Sequence, residues 1–275
     1  MYTPRGTAAA LTYFAAQCLV IVISASLSYA SWSLAAVDSA PMAILILAGY
    51  ILSAFLIATR FRALSLLKHE AAHSSLSRNR KMNQWIGELA SVFDHTSFVE
   101  YRSKHARHHH HLGQEKKDPD FNYQAQKRMQ SHWFAFHPSV FAKYVHAGFN
   151  LTEDSFYARL GRALFHVGLP LMALWQNRIE FYLAYVFIPY NLLYPIVQAL
   201  GDYFDHVAPD DSRLLTEDTA MSKCLRALLL PRNDRYHRAH HFFPKVPSWK
   251  LNECHTLLSS NPLYLRYVRR NSLDQ

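Results

Sequence analysis

Residues 8–36 read AAALTYFAAQCLVIVISASLSYASWSLAA, without one charged side chain. A helix of about 20 apolar residues crosses the ~30 Å hydrocarbon layer of a bilayer, so this stretch is long enough to span it. After Asp38 and Pro41 a second run, Met42 to Ala58, stops just before Arg60 and Arg62, and Lys68, Arg78, Arg80 and Lys81 follow. The two runs predict a membrane hairpin. A cleaved signal peptide would also start with a cation such as Arg5, but its apolar region has about 7 to 15 residues and this one is longer.

Outward from that hairpin the chain alternates between wet and apolar. Residues 60–160 are crowded with His, Lys, Arg and Gln and hold no stretch that could span. A third run, Ala163 to Trp175, is short and contains His166, and a fourth, Phe181 to Leu200, is interrupted by Pro189 and Pro195. The rest is polar apart from Leu225 to Leu230, which suits a core or interfacial helix. The expectation is an all-α fold in one domain: an integral membrane bundle of about four spanning helices with a helical cap. Residues 1–62 would form the first hairpin, 63–160 a wet segment, 161–201 a second hairpin and 202–275 a second wet segment. Lys and Arg are absent between the first two runs and cluster at their other ends, which by the positive-inside rule puts both wet segments in the cytoplasm.

Composition agrees with that alternation. Half of the 275 residues are hydrophobic, yet the mean hydropathy is −0.10 because the apolar residues are gathered into runs. The net charge of +9 could suggest nucleic acid, but the cations lie beside the apolar runs and among histidines, and no nucleic-acid-binding motif is present. Cys18, Cys224 and Cys254 are far apart and form no CxxC pair, so they read as small apolar fillers in a reducing compartment. The 17 histidines are the informative feature, since neutral imidazole is the commonest metal-ligating side chain.

These histidines fall into spaced clusters. His69 and His73 stand at i and i+4, one helical turn apart, in the stretch HEAAH. Taken alone that is HExxH, the zinc peptidase signature, with Glu70 as general base. His105, His108 and His109 form HxxHH, and His237, His240 and His241 repeat it after the second apolar pair. A solvated basic tract is the bland reading of the second cluster, with His110 and His111 left over. Eight imidazoles exceed what one tetrahedral zinc ion uses, so the repeat argues for two metal ions. The clusters can meet only if residues 163–200 cross the bilayer an even number of times.

HxxxH followed by HxxHH and, after a membrane hairpin, a second HxxHH resembles the membrane fatty acid desaturase and hydroxylase superfamily, over roughly Lys68 to Leu258. Tyr101, Arg102 and the turn Asp118, Pro119, Asp120 are similar to that family's surroundings of the second box. Asn233, Tyr236, Phe243, Pro244, Val246, Pro247, Leu251 and His255 are similar to its third-box context. The resemblance implies one more ligand about thirty residues before the third box, where His206 stands, with Asp202 four residues earlier as a ligand, a holder of bridging water or an ordinary helix-end carboxylate. With His206 the ligand set is nine: His69, His73, His105, His108, His109, His206, His237, His240 and His241. Glu70 would then orient a liganding imidazole rather than act as a base.

What the resemblance implies about chemistry goes further than spacing can. It implies two iron ions, O2 as co-substrate and removal of hydrogen from an unactivated carbon, whereas imidazole alone also suits zinc, copper and nickel. Desaturation of a fatty acyl or similar lipid chain entering from the bilayer is the leading expectation; a hydroxylase or ketolase of a lipid, carotenoid or small specialised substrate is the alternative. The turn at Asp118 to Phe121 is somewhat similar to the carotenoid enzymes, and the third-box context is more similar to acyl desaturases. No flavin, pyridine-nucleotide or iron–sulfur signature is present, so a separate donor such as a ferredoxin with its reductase is implied. The chain would be a multi-pass protein of a bacterial inner membrane with its site facing the cytoplasm. A zinc peptidase leaves most boxes unused, and a metal transporter would place its ligands inside the spans.

Several residues read as structural. His95, His132, His137, His146 and His166 match no box and suit surface or hydrogen-bonded core roles, and His255 suits capping or packing. Trp85, Trp133, Trp175, Tyr190 and Trp249 suit a membrane interface, or else the wall of a substrate tunnel.

Overall fold

The computed structural model describes residues 6–34, 39–112, 114, 116–120, 154–206 and 223–262, without the side chains of 202–206 and 225. The protein is all-helical: 82% helix and no strand among the described residues. Helix α1 spans Thr7–Leu34 and α2 spans Ala40–Ala72. The cap helices α3 and α4 are Arg80–Ser91 and Phe98–His111. Helix α5 runs from Phe156–Ala163 through a π-helical turn, Leu164–Gly168, into Leu169–Trp175. Helix α6 starts at Ile179–Tyr182, passes through a longer π-helical segment, Leu183–Leu193, and ends with Tyr194–His206. Then come α7 (Lys223–Leu229), a 3-10 turn (Pro231–Tyr236), α8 (His237–Phe242) and α9 (Leu251–Ser259).

Among the described residues three helices are long and apolar enough to cross a membrane: Thr7–Leu34, Ala40–Ala72 and Ile179–Gly201. Leu19, Val22, Leu27, Leu45 and Leu52 are exposed on the first two, which is the pattern of helices solvated by lipid. Side-chain bonds fix the bundle along its length. Ser53 donates to the Ser24 carbonyl (2.9 Å), Ser28 and Tyr185 share a hydroxyl bond (2.9 Å), and Tyr50 donates to the Ala184 carbonyl (3.1 Å). The last bond has a local cause: Pro189 has no N–H to give to the carbonyl five residues back, and Tyr50 satisfies it instead.

Helix α2 outlasts the second apolar run. Met42 to Ala58 reads as stopping at Arg60, but α2 continues unbroken to Ala72, because the cations that suggested an aqueous boundary are partnered. Arg60 donates to Gln17 (3.2 Å), Arg62 to Asp234 (2.8 Å), and Lys68 to Asp94 (3.0 Å). One rod therefore carries both the apolar span and the first histidine pair. Ser74, with φ +56°, ends it: the N–H groups of Ser74 and Ser75 turn back to the carbonyls of Ala71 and Glu70 (3.0 and 3.1 Å).

Helix α5 begins beside the cap, where the Ser155 hydroxyl bonds Glu88, and ends at Trp175. Helix α6 begins next to Arg178, which donates to Tyr29 (3.1 Å) near the far end of α1, and returns to the cap, where Tyr194 donates to Asp94 (3.0 Å). The pair thus leaves the cap and comes back, which the sequence required for the boxes to meet. Of the aromatics read as interfacial, Trp175 is 82% exposed but Tyr190 only 1%, so Tyr190 belongs to the interior. Trp133, His132, His137 and His146 lie outside the described residues. The cysteines are free, and Cys224 is exposed rather than a filler.

Candidate metal centre

Each box is placed by an element whose end is fixed by its own sequence. Box one sits in the last turn of α2, with His73 as its C-cap. Box two rides on α4, whose start is capped by two side chains: Ser97 accepts from the Glu100 N–H (3.1 Å), and the buried Asp154 accepts from Phe98 and Val99 N–H (3.4 and 3.3 Å). Box three follows two consecutive left-handed residues, Arg232 (φ 60°) and Asn233 (φ 61°). Such residues are held only where their surroundings over-determine them. Here three successive side chains are anchored: Arg232 to Glu70, Asn233 to the Ser248 carbonyl (3.0 Å), and Asp234 to Arg62 (2.8 Å).

The result is two adjoining groups of imidazoles at the cap end of the bundle. His69, His73, His105, His109 and His240 form one, and His108, His237 and His241 the other, with the ligand atoms of each group all within 4.8 Å of one another. In the first, Nε2 of His105 lies 2.8 Å from that of His73 and 3.0 Å from that of His109. In the second, Nε2 of His108 lies 3.3 Å from that of His241. The boxes interleave. The i and i+4 members of box two, His105 and His109, join the first group while His108 crosses to the second; in box three His237 and His241 join the second while His240 crosses to the first. Adjacent histidines on a helix point about 100° apart, so an HH pair serves two centres by geometry.

The donor set fits metal ions. Nε2 of His69 and of His240 are buried without a hydrogen-bond partner among the described residues, a cost of about 1–3 kcal/mol each unless a ligand meets them. Burial, then the neighbouring imidazoles, hold His105 and His240 well below the ordinary histidine value and push His73 down to about 3. The rings are therefore neutral at physiological pH, the state that binds metal.

His108 Nδ1 meets Asp118 Oδ1 at 2.8 Å, both buried. That carboxylate, in the Asp-Pro-Asp turn just past α4, fixes the ring so that Nε2 faces the second group. Tyr101 stacks on His105 (5.2 Å between centroids) and Lys68 lies over the Tyr101 ring (3.9 Å). Glu70 is used as a tether: one oxygen takes Arg232, the other the Ser248 N–H (3.2 Å), and among the described residues no imidazole touches it. His206 and Asp202 occupy the last turns of α6, and their side chains lie outside what is described. His110 and His111 meet edge to face at the end of α4, in neither group. His255 packs on Tyr236 (4.9 Å), away from the ligands.

Two imidazole groups interleaved from three boxes match what comparison with known sequences finds, since the profile described as "Fatty acid desaturase" matches residues 43–271. The chain belongs to the fatty acid desaturase family. A dihydrorhizobitoxine desaturase of Bradyrhizobium elkanii is 24% identical over 245 residues, which is 79% of this chain and 70% of that protein. A zeaxanthin 4-ketolase of Chlamydomonas reinhardtii is 25% identical over 205 residues, 70% of this chain and 41% of that protein. Family membership supports an oxidoreductase role, and the three apolar helices fit a membrane protein.

Asp118 as the partner of His108 and Arg232 as the partner of Glu70 are not visible in the sequence. The first pair is 10 residues apart across a helix end and the second 162 residues apart, and no periodicity links either.

Proposed function

We propose that this chain is an O2-dependent, di-iron oxidoreductase that desaturates a lipid-like substrate entering from the bilayer, with electrons from a separate ferredoxin-type donor. The observation that carries this reading is the interleaving of eight histidines into groups of five and three. Such an arrangement needs two ions to satisfy it. Two bound irons would supply reductive activation of O2 to an oxidant able to take hydrogen from an unactivated C–H bond. The protein's own residues do the rest. His69, His73, His105, His109 and His240 would hold one ion, and His108, His237 and His241 the other. Asp118 keeps His108 in register, and Glu70 with Arg232 locks box one to box three.

Burial of His69, His105, His108 and His240 at the junction of span and cap keeps bulk water from the reacting carbon. We place the cap in the cytoplasm, because Arg78, Arg80 and Lys81 stand at its end of the bundle. We also count α5 as a fourth crossing, with Leu164, Val167, Leu171 and Trp175 exposed along it. The same basic face suits an acidic electron carrier.

Oxygenation is the second reading, favoured by the ketolase among the relatives. The zinc peptidase reading needs Glu70 as a base, but that carboxylate is engaged by Arg232 and Ser248. Mass spectrometry of lipids from a host expressing the parent or the His108→Ala variant tests the function. New double bonds present only with the parent support desaturation, added oxygen supports the second reading, and identical lipid profiles contradict both.

A further inference from the structure

Beneath the metal centre lies a second polar cluster to which the boxes contribute nothing. Tyr190 Oη, His95 Nε2 and His166 Nε2 are all buried without a hydrogen-bond partner among the described residues. They belong together: the Tyr190 ring centre is 4.4 Å from that of His95 and 5.5 Å from that of His166. Tyr190 is 1% and His95 4% exposed, so bulk water does not satisfy them. Native interiors seldom leave such groups unmet, and three on rings packed around Tyr190 point to a bound polar atom.

The surroundings say what kind of atom. Phe61 and Phe165 wall the site, with centroids 5.1 and 5.2 Å from Tyr190. Two cations and two carboxylates lie beside it, and they are already matched: Lys68 with Asp94 (3.0 Å) and Arg162 with Asp154 (3.5 Å). Arg162 also donates to the carbonyls of Asp94 and Thr96 (3.0 and 2.6 Å), and only its Nε is left over. Tyr194 spends its hydroxyl on Asp94 (3.0 Å). With charge balanced, an incoming carboxylate would be a buried ion without a counter-ion, whereas an uncharged oxygen can accept from Tyr190 and from a neutral imidazole.

Backbone geometry marks the same place. His166 lies in the π-helical turn of α5 and Tyr190 in the π-helical segment of α6. The Leu169 N–H reaches back to the Leu164 carbonyl and the Tyr194 N–H to that of Pro189, five residues each. Such widened turns re-aim side chains and collect at functional sites. Phe61, which touches Tyr190, is 8 residues before His69 on α2, or about 12 Å along the helix.

We propose that Tyr190, His95 and His166 form a subsite beside Phe61, about two turns of α2 before the first metal ligand, that holds an uncharged oxygen function of the substrate, a hydroxyl, ether or keto group. It rests on the reading that a lipid-like molecule enters from the bilayer, and adds that this molecule is not a plain hydrocarbon chain over that stretch. The subsite fixes which carbon lies at the metals, because an anchored oxygen sets the distance to the reacting atom.

The test is binding of tritiated 1-hexadecanol to the full-length protein in nanodiscs, with hexadecane and hexadecanoate as competitors and iron content measured on the same samples. The parent should prefer the alcohol over both competitors by about tenfold or more, and Tyr190→Phe should shrink that preference to about threefold or less. Because the Tyr190 hydroxyl has no partner to lose among the described residues, Tyr190→Phe should melt no lower than the parent, a result that a merely structural hydroxyl would not give. Three outcomes overturn the subsite: hexadecane competing as well as the alcohol, no binding of 1-hexadecanol by the parent, or a preference that survives Tyr190→Phe, as a trapped water would allow. Any of these with full iron content leaves the metal reading standing, whereas a parent without iron sinks the metal reading alone.

Discussion

Removing the Arg62 guanidinium should unfasten the third histidine box from the spanning bundle. Arg62 is 0% exposed, donates through Nε to the Leu229 carbonyl (2.6 Å) and through Nη2 to Asp234 (2.8 Å), itself 6% exposed. A Cβ on Gly201 would fall 1.9 Å from the Arg62 Cζ, so only glycine leaves room for this side chain. Arg62→Met keeps most of the volume but deprives a buried carboxylate of its cation. Breaking a buried pair in this way costs about 3–5 kcal/mol, against about 1 or less for a surface pair. Asp234 Oδ1 also faces His237 Nδ1 (3.5 Å), so the damage should reach the smaller imidazole group first. Thermal unfolding in one detergent, with iron assayed per chain, reads both effects. Arg62→Met should unfold at markedly lower temperature and lose iron. Arg62→Met/Asp234→Leu should regain most of the stability, because no buried charge is left unmatched, while iron stays low for want of the carboxylate beside His237. An Arg62→Met variant within about 1 kcal/mol of the parent would refute the reasoning, since the pair would then behave like a solvated one.

Two further outcomes follow from the cap. Asp118→Asn should weaken retention of the ion bound by His108 by about 10- to 100-fold, measured by competition with a chelator, and leave helix content unchanged. In metal-free protein the folded-state values of His73, His105 and His240 lie below the unfolded value. The unfolded chain therefore takes up protons first, and stability is full above about pH 6.5 and falls below it, by about 1.4 kcal/mol per pH unit for each such ring. Urea titrations of metal-free protein between pH 7.5 and 5 check the sign; a stability that rises on acidification contradicts it.

How much of this was legible depended on the range over which each feature is encoded. The spans at 8–36 and 42–58 and the box spacings are local patterns, so sequence alone reaches them. The continuation of α2 past Ala58 is hidden because Arg60, Arg62 and Lys68 signal water to a local reading, and only partners 26 to 172 residues away make them tolerable inside a helix bundle. The division of each HH pair between two groups follows from helical geometry once the boxes are known to meet, but which box gives two ligands to which group depends on how α4 and α8 approach α2. The left-handed pair at Arg232 and Asn233 carries only a weak local signal, since neither is glycine and only asparagine favours that region. Tyr190 suits either an interface or a tunnel wall by type, and only its burial in the π-helical segment around Pro189 places it in the interior.

Metal stoichiometry tests the central claim most directly. Purified, iron-reconstituted parent should hold about two irons per chain, and His237→Ala/His241→Ala, which leaves His108 alone in the group of three but spares the group of five, should hold about one. A parent that binds a single ion, or a double variant that still binds two, contradicts the account.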